Sequence, residues 1–141
     1  MTTNTATARY DGLGKDGKGQ VKSSSGAIDA PYGFGTRFED EAGTNPEEMI
    51  AAAHASCFTM ATSFALAKAG HEQGTLDTKC DVTLEKDGDG FKVSKSALSM
   101  TAKVEGISAD EFQKIANEAK EGCPISKLLN CEITLDAKLE S

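Results

Sequence analysis

The sequence predicts an α+β fold in which antiparallel sheets surround one long helix. Strand-like and helix-like segments follow the order β-β-β-α-β-β-α-α-β, without the regular alternation that builds a doubly wound parallel sheet. Neighbouring strand patterns are joined by short turns such as "KDGDG", which favours hairpins. One further segment, residues 46–70, is apolar or small nearly all the way round. The length of 141 residues predicts a single domain over residues 1–141.

The segment before the long helix predicts short strands separated by turns. "TATARY" alternates small apolar and polar residues, which is typical of a strand. "GLGKDGKG" is a turn signal, and a second short strand is expected at residues 20–23. "SSSGAIDAPYGFG" contains Gly and Pro and is interpreted as a loop, so the third strand is placed in "TRFED".

The long helix, "PEEMIAAAHASCFTMATSFALAKAG", has clear signals at both ends. Asn45 or Thr44 can cap its start, and Pro46 suits the first helical position. Two glutamates follow at the positive end of the helix dipole. Gly70 is placed where helices commonly end with a residue in the left-handed region.

The second half of the chain predicts a hairpin, two helices and a last strand. "LDTKCDVTLE" and "FKVSKSALSMTAKVE" alternate as strands, and a change of phase near residues 95–97 predicts a bulge. "SADEFQKIANEAKEG" is an amphipathic helix with a capping box at Ser108 and Glu111. A short helix is expected at residues 124–129, and "CEITLDAKLE" places its apolar residues on one face of a strand.

Composition excludes several classes of function. The net charge is −7 with no basic runs, which argues against nucleic acid or an anionic membrane as a partner. The N-terminus has no apolar leader pattern, so a cytoplasmic location with reduced thiols is expected. The long helix carries His54 and several Ser and Thr residues, so a membrane span is rejected. Two histidines and four cysteines without CxxC spacing predict no metal site.

Cys57 lies at the centre of the long helix and has two interpretations. On a helical wheel it shares an apolar face with Ile50, His54, Met60 and Phe64. A free cysteine in such a place is usually an inert packing residue, because an apolar site raises the thiol pKa. His54 can touch the thiol but is expected to be a satisfied polar residue rather than a base.

A reactive thiolate at Cys57 would need a permanent cation close by. Arg37, just before the long helix, is one of only two arginines in the chain and stays charged when partly buried. It could favour the thiolate and hold a peroxide oxygen. The alternative is a plain ion pair with one of the acidic residues that follow it in "RFEDE".

Three motifs, "PYGFGTRFE", "GTNPEEMIAAAHASCFTMA" and "EGCPISKLL", together resemble the OsmC/Ohr family of osmotically inducible and organic-hydroperoxide-resistance proteins. The first motif and the histidine in "AAHASC" are more similar to the OsmC branch than to the Ohr branch. The resemblance covers essentially the whole chain. It implies an intertwined homodimer whose sheets wrap two central helices, and a cysteine-based peroxidase without metal or bound organic cofactor.

The resemblance also implies the roles of four residues. Cys57 matches the peroxidatic cysteine and Cys123 in "EGCPIS" matches the resolving cysteine. Arg37 matches the arginine that activates the thiolate, and Glu47 matches the carboxylate that orients this arginine. Cys57 would become a sulfenic acid and then a Cys57–Cys123 disulfide. The implied reductant is an external dithiol, a dihydrolipoyl group on a partner protein. Osmotic and oxidative stress defence is the implied setting.

Helix geometry adds an expectation about the dimer. Glu47 and Cys57 are ten residues apart, or about 15 Å along a continuous helix. Glu47 is therefore expected to serve the thiol of a partner chain, so that each active site is shared between two chains. An apolar pocket wall from Ile50, Met60 and Phe64 would favour organic hydroperoxides over hydrogen peroxide.

Two other functions stay open from the residues. One is a non-catalytic redox-sensing or small-ligand-binding protein on the same fold, which would be oxidised once and stop. The other is a purely structural domain with incidental thiols. Cys80 and Cys131 lie in phase with apolar strand residues and are assigned to the core.

Overall fold

The computed structural model describes residues 1–140. It contains helices and two three-stranded sheets, as expected of an α+β fold. The chain divides into two compact units, of which the first covers Met1–Met49 and the second begins at Ile50.

The first unit is a small antiparallel sheet followed by a short helix. Strands β1 (Ala6–Asp11), β2 (Lys18–Ser23) and β3 (Asp29–Tyr32) pair in that order. Helix α1 (Phe34–Phe38) follows. The prediction of a strand in "TRFED" is wrong, because the hydroxyl of Thr36 accepts a hydrogen bond from the Gly33 N–H and closes a helical turn there. The third strand lies instead in the segment interpreted as a loop, with its proline on an edge strand, where a missing N–H is tolerated.

Helix α2 (Pro46–Lys68) is the long helix that the sequence predicts. The side chain of Asn45 accepts a hydrogen bond of 2.7 Å from the Glu48 N–H, so Asn45 caps the helix start. Gly70 has φ of 99°, a left-handed conformation that favours glycine at a helix end. Both predicted end signals are confirmed.

The second unit contains a sheet of order β4-β5-β6 and two helices. Strands β4 (Gly74–Asp87) and β5 (Gly90–Val104) form the predicted hairpin, and α3 (Ala109–Gly122) and α4 (Pro124–Leu128) follow. Strand β6 (Glu132–Glu140) pairs parallel with β5, so the expectation of purely antiparallel sheets is wrong for this strand. The two intervening helices supply the crossover that a parallel pair needs.

The β4–β5 ladder contains the irregularity that the change of phase predicts. Thr83 pairs with Lys95 and Leu84 pairs with Val93, so Ser94 is the extra residue. This bulge lies one residue before the predicted range. It turns the following side chains of β5, from Ser96 onward, into the phase that becomes buried.

The core of the second unit lies between its helices and the buried face of β5. Its largest apolar members are Phe58, Leu98, Met100 and Phe112. Only one stripe of α2 reaches this core, and its buried residues are His54, Phe58, Thr62 and Leu66. By length and composition alone, α2 could also cross a membrane, but this stripe packs on protein.

Candidate functional site

Cys57 and Cys123 meet although 66 residues separate them in the chain (123 − 57). Their side chains lie close enough that each affects the ionisation of the other. Cys57 is half-buried on α2 and packs against the core, whereas Cys123 is completely buried. Neither thiol is in a disulfide in this structure.

The two thiols ionise unequally. Burial raises the pKa of Cys57, and the hydrogen bond with Cys123 raises it further, against a lowering by the backbone of Ile125. Burial also opposes ionisation of Cys123, but donors from Cys57, Ser126 and Ile125 outweigh it and lower the pKa of Cys123. The surroundings of the pair therefore disfavour a thiolate on Cys57 and favour one on Cys123.

Cys123 owes these donors to its position between α3 and α4. It ends α3 and serves as the N-cap residue of α4, whose first residue is Pro124. At an N-cap the next backbone N–H groups point towards the capping side chain, which favours a negative charge there. The hydroxyl of Ser126 adds a side-chain donor.

Arg37 and Glu47 form the second half of the predicted site. Arg37 lies in the last turn of α1 and Glu47 in the first turn of α2. Two parallel hydrogen bonds join them, Nε to Oε1 at 2.8 Å and Nη2 to Oε2 at 2.8 Å. This hydrogen bonding raises the pKa of Arg37. The bidentate pair fixes the guanidinium plane, and Glu47, whose side chain is 12% exposed, is its partner rather than the acids after Arg37.

An aromatic cleft lies beside Arg37 in the first unit. The pocket expected from the sequence did not include this cleft. The two aromatic residues in "PYGF" were a signal for it. Its apolar and aromatic lining residues are Tyr10, Tyr32, Phe34, Phe38 and Pro46. The rings of Phe34 and Phe38 pack in a tilted arrangement, with centroids 5.1 Å apart and planes inclined by 48°.

The expected apolar pocket wall on α2 is largely exposed in the chain by itself. Met60 is 59% exposed and Phe64 is 69% exposed, whereas Ile50 is half-buried. Cys57 instead turns towards the core, where it packs next to Ala61. The helix is therefore less covered than its composition suggested.

His54 is completely buried and both ring nitrogens have partners. Nδ1 lies 2.6 Å from the Ser96 hydroxyl and Nε2 lies 2.7 Å from the Ser126 hydroxyl. Burial lowers the pKa of His54, so the ring is neutral near pH 7. His54 is therefore a polar residue whose hydrogen bonds are satisfied, as expected from the sequence. Neither of its two hydrogen bonds goes to Cys57.

The other two cysteines lie on either side of β5. Cys80 on β4 contacts the Ser96 hydroxyl at 3.2 Å, and burial raises its pKa. Cys131 precedes β6 and is half-buried, and burial raises its pKa as well. Within residues 1–140, no group of three or more His, Cys, Asp or Glu side chains is arranged to hold a metal ion.

Comparisons with known proteins find related sequences over most of the chain. The family model for OsmC-like proteins matches residues 38–138. The chain is 50% identical over 135 residues to peroxiredoxin OsmC of Escherichia coli (strain K12), covering 95% of this chain and 94% of that one. It is 30% identical over 125 residues to the organic hydroperoxide resistance protein OhrB of Bacillus subtilis (strain 168), covering 86% of this chain and 88% of that one.

Solved structures share the fold. The crystal structure of Bacillus subtilis OhrB matches with a TM-score of 0.71 and 27% identity, over 99% of this chain and 98% of that one. An OsmC-like protein from Vibrio cholerae matches with a TM-score of 0.79 over 97% of this chain and 99% of that one, and its 18% identity supports the fold alone. The family model matches most of the chain, and a relative is 50% identical to it over nearly its whole length. The chain therefore belongs to the OsmC-like protein family.

Proposed function

We propose that the chain is a thiol-dependent peroxidase that reduces organic hydroperoxides to alcohols in the cytoplasm, in defence against oxidative and osmotic stress. The single observation that supports it most is the contact between Cys57 and Cys123 in the reduced protein. A thiol that attacks peroxide and a second thiol within reach of it are what turnover through an internal disulfide needs. The names of the relatives, peroxiredoxin and organic hydroperoxide resistance protein, point to the same activity.

The proposed chemistry needs two steps. The thiolate of Cys57 attacks the distal oxygen of the hydroperoxide, the O–O bond breaks, and the alkoxide leaves with a proton as the alcohol. Cys57 is then a sulfenic acid. Cys123 attacks this sulfur, an S–S bond forms, the S–O bond breaks and water leaves. An external dithiol then reduces the Cys57–Cys123 disulfide.

Arg37 would stabilise the thiolate form of Cys57 with its positive charge. Burial raises the pKa of Cys57, so a thiolate on this residue needs an added positive charge. Glu47 uses two of the five N–H donors of Arg37, which leaves three for a sulfur or a peroxide oxygen. A proton then passes from Cys57 to Cys123 along their hydrogen bond, and the charge moves to Cys57.

We place the Arg37–Glu47 pair at the Cys57 thiol of a partner chain, in a homodimer with two shared active sites. Glu47 starts the same helix that carries Cys57 ten residues later, so about 15 Å of helix axis separates them. The exposed apolar side chains of α2, Met60 and Phe64, are a second argument, since a mostly uncovered apolar helix calls for a partner. The proposed partner is a second copy of the chain, as the homodimer implied by the family resemblance requires.

The dimer predicts a mass measurement. Sedimentation equilibrium of the purified protein is expected to give twice the chain mass of 14.8 kDa, because burial of the α2 faces stabilises the pair. Phe64→Asp should shift the equilibrium towards the single chain, whereas Lys92→Asp on the exposed hairpin should not. A stable monomer at micromolar concentration would contradict the shared site.

The organic part of the substrate would lie in the aromatic cleft beside Arg37. In the proposed shared site, the apolar residues Ile50, Met60 and Phe64 of α2 stay the expected wall on the side of the cysteine. An alkyl or aryl group gains free energy when it leaves water for such a cleft. Hydrogen peroxide has no apolar group and gains nothing there. The cleft therefore favours organic hydroperoxides.

Substrate preference should depend on Phe34. For the wild type, we expect kcat/KM to be higher with cumene hydroperoxide than with hydrogen peroxide. Phe34→Ala should lower the value for cumene hydroperoxide about tenfold, because an aryl contact is lost, and leave the value for hydrogen peroxide unchanged. Phe91→Ala, on the β4–β5 hairpin, is the matched control. Equal losses with both peroxides would count against the cleft.

Turnover tests the proposed function as a whole. With excess dihydrolipoamide and cumene hydroperoxide, the protein should consume many equivalents of peroxide per chain. A redox sensor would consume about one equivalent and stop, and a structural domain would consume none. A dihydrolipoyl group is the proposed reductant because its two thiols can resolve a disulfide within one molecule.

A further inference from the structure

A buried chain of hydrogen bonds connects Cys123 to the middle of the sheet. His54 and Ser96 are completely buried, and the imidazole of His54 joins the hydroxyls of Ser96 and Ser126 at 2.6 and 2.7 Å. Ser126 is the third residue of α4, a position from which a side chain can reach back to the N-cap residue. That residue is Cys123, and the Ser126 side chain lowers the pKa of its thiol.

Packing alone does not account for this chain. A polar ring in a core stabilises the fold less than an apolar side chain of the same volume. A buried histidine with two hydrogen bonds therefore suggests a role for those hydrogen bonds. Ser96 lies in phase with the apolar residues Leu98 and Met100 on β5, where an apolar residue would be the default. The hydrogen bonds of the chain therefore give a reason for both polar residues at these buried positions.

The chain has a definite direction when Cys123 is a thiolate. A thiolate only accepts, so the Ser126 hydroxyl donates to the sulfur and its oxygen accepts from His54 Nε2–H. The neutral ring then leaves Nδ1 as an acceptor for the Ser96 hydroxyl. The Ser96 oxygen in turn can accept from the Cys80 thiol at 3.2 Å. Ser126, His54 and Ser96 each donate once and accept once along the chain.

We propose that the Ser96–His54–Ser126 chain fixes the Ser126 hydroxyl as a donor to Cys123 and thereby prepares Cys123 to attack the Cys57 sulfenic acid. Ser126 contacts the reacting sulfur, and His54 is a positioning residue that acts through Ser126. The attack itself rests on the proposed peroxidase function, whereas the effect on Cys123 ionisation does not.

The step is balanced without another reactant. Cys123 gives up its thiol proton, its sulfur forms a bond with the Cys57 sulfur, and the S–O bond of the sulfenic acid breaks. The departing hydroxide takes up one proton and leaves as water. Cys123 and Cys57 are oxidised to the disulfide relative to two thiols, and the peroxide that formed the sulfenic acid is the oxidant.

The first test measures ionisation of Cys123 without peroxide. In a chain whose other three cysteines are serine, the ultraviolet absorbance of the thiolate is followed against pH. Ser126→Ala removes one donor to the sulfur, so the midpoint should move to higher pH. His54→Gln should move it in the same direction, and Ser126→Thr, which keeps the hydroxyl, should stay near the parent. His71→Leu and Ser94→Ala are matched controls outside the chain.

The second test measures the resolving step. After one equivalent of cumene hydroperoxide, quenched mass spectrometry follows loss of the peroxide-oxidised Cys57 and growth of the disulfide. Ser126→Ala should slow disulfide formation about tenfold at pH 7, measured against the rate of Cys57 oxidation in the same samples. More sulfinic acid should accumulate on Cys57 at higher peroxide.

The His54 variant removes a buried side chain and can fold poorly. Ser126 is only half-buried, so Ser126→Ala is expected to fold and still tests the proposal. If the midpoint and the disulfide rate both stay at the parent values in folded Ser126→Ala, the proposal is overturned. A wild type that consumes no organic hydroperoxide would remove the proposed function, while the pH midpoint would still decide whether the chain acts on Cys123.

Discussion

Replacing Cys57 with serine is expected to lower kcat/KM for cumene hydroperoxide by about a thousandfold or more, because the serine hydroxyl is not ionised and cannot attack the peroxide. Steady-state peroxide consumption with dihydrolipoamide measures this. The loss should not be repaired by higher pH or by more reductant. Retention of a tenth of the wild-type activity would mean that Cys57 is a packing residue.

Cys123→Ser should separate the two steps. It leaves the first attack possible, so about one equivalent of peroxide should be consumed before turnover stops with an oxidised Cys57. Cys80→Ser and Cys131→Ser are the matched controls, since these half-buried thiols lie outside the Cys57–Cys123 contact. Both should keep wild-type turnover.

Arg37→Met is expected to lower kcat/KM at pH 7 about a hundredfold, because the thiolate of Cys57 loses its cation and the peroxide loses a donor. Loss of a positive charge raises the pKa of Cys57. The rising limb of the pH–rate profile should therefore move to higher pH, and the deficit should shrink as pH increases. Glu47→Gln should give a smaller loss in the same direction, since it breaks the bidentate pair at 2.8 Å but keeps the arginine.

Mixed dimers distinguish a shared site from a site within one chain. In a dimer of one Cys57→Ser chain and one Arg37→Met chain, a shared arrangement rebuilds one complete site of two. Activity should rise to about half that of a wild-type dimer, although each variant alone is nearly inactive. If the mixed dimer stays as inactive as its parents, Arg37 serves the cysteine of its own chain.

Local signals in the sequence were sufficient for most of the fold. Asn45 and Gly70 delimit α2 through hydrogen bonding and backbone preference within a few residues, so its ends could be predicted. The bulge near Ser94 could be predicted because a one-residue slip changes the side-chain phase. The parallel pairing of β6 could not, since alternation has the same period in either strand direction.

The short helix α1 shows a limit of propensity. "GFGTRF" contains glycine, threonine and aromatic residues, which individually disfavour a helix, and the helical turn depends on the hydrogen bond between Gly33 and Thr36. Local propensity therefore predicted a strand in this segment, whereas the hydrogen bond between Gly33 and Thr36 stabilises a helical turn. The candidacy of Arg37 did not depend on this error, because it rests on the chemistry of the side chain and not on the element that carries it.

The site could be predicted only in part. The contact of Cys57 with Cys123 spans 66 residues, and only the resemblance to a family connected them. The partners of His54 come from β5 and α4, so they could not be read from the helix that carries it. A serine in the buried phase of β5, Ser96, was the one local signal for them.

The most direct measurement is peptide mass spectrometry of the reduced wild type after one equivalent of cumene hydroperoxide. We predict a single new disulfide between Cys57 and Cys123, with Cys80 and Cys131 still reduced. Cys123→Ser treated in the same way should carry sulfenic or further oxidised Cys57. A reduced Cys57 after peroxide addition, or a disulfide that joins other cysteines first, would contradict the account.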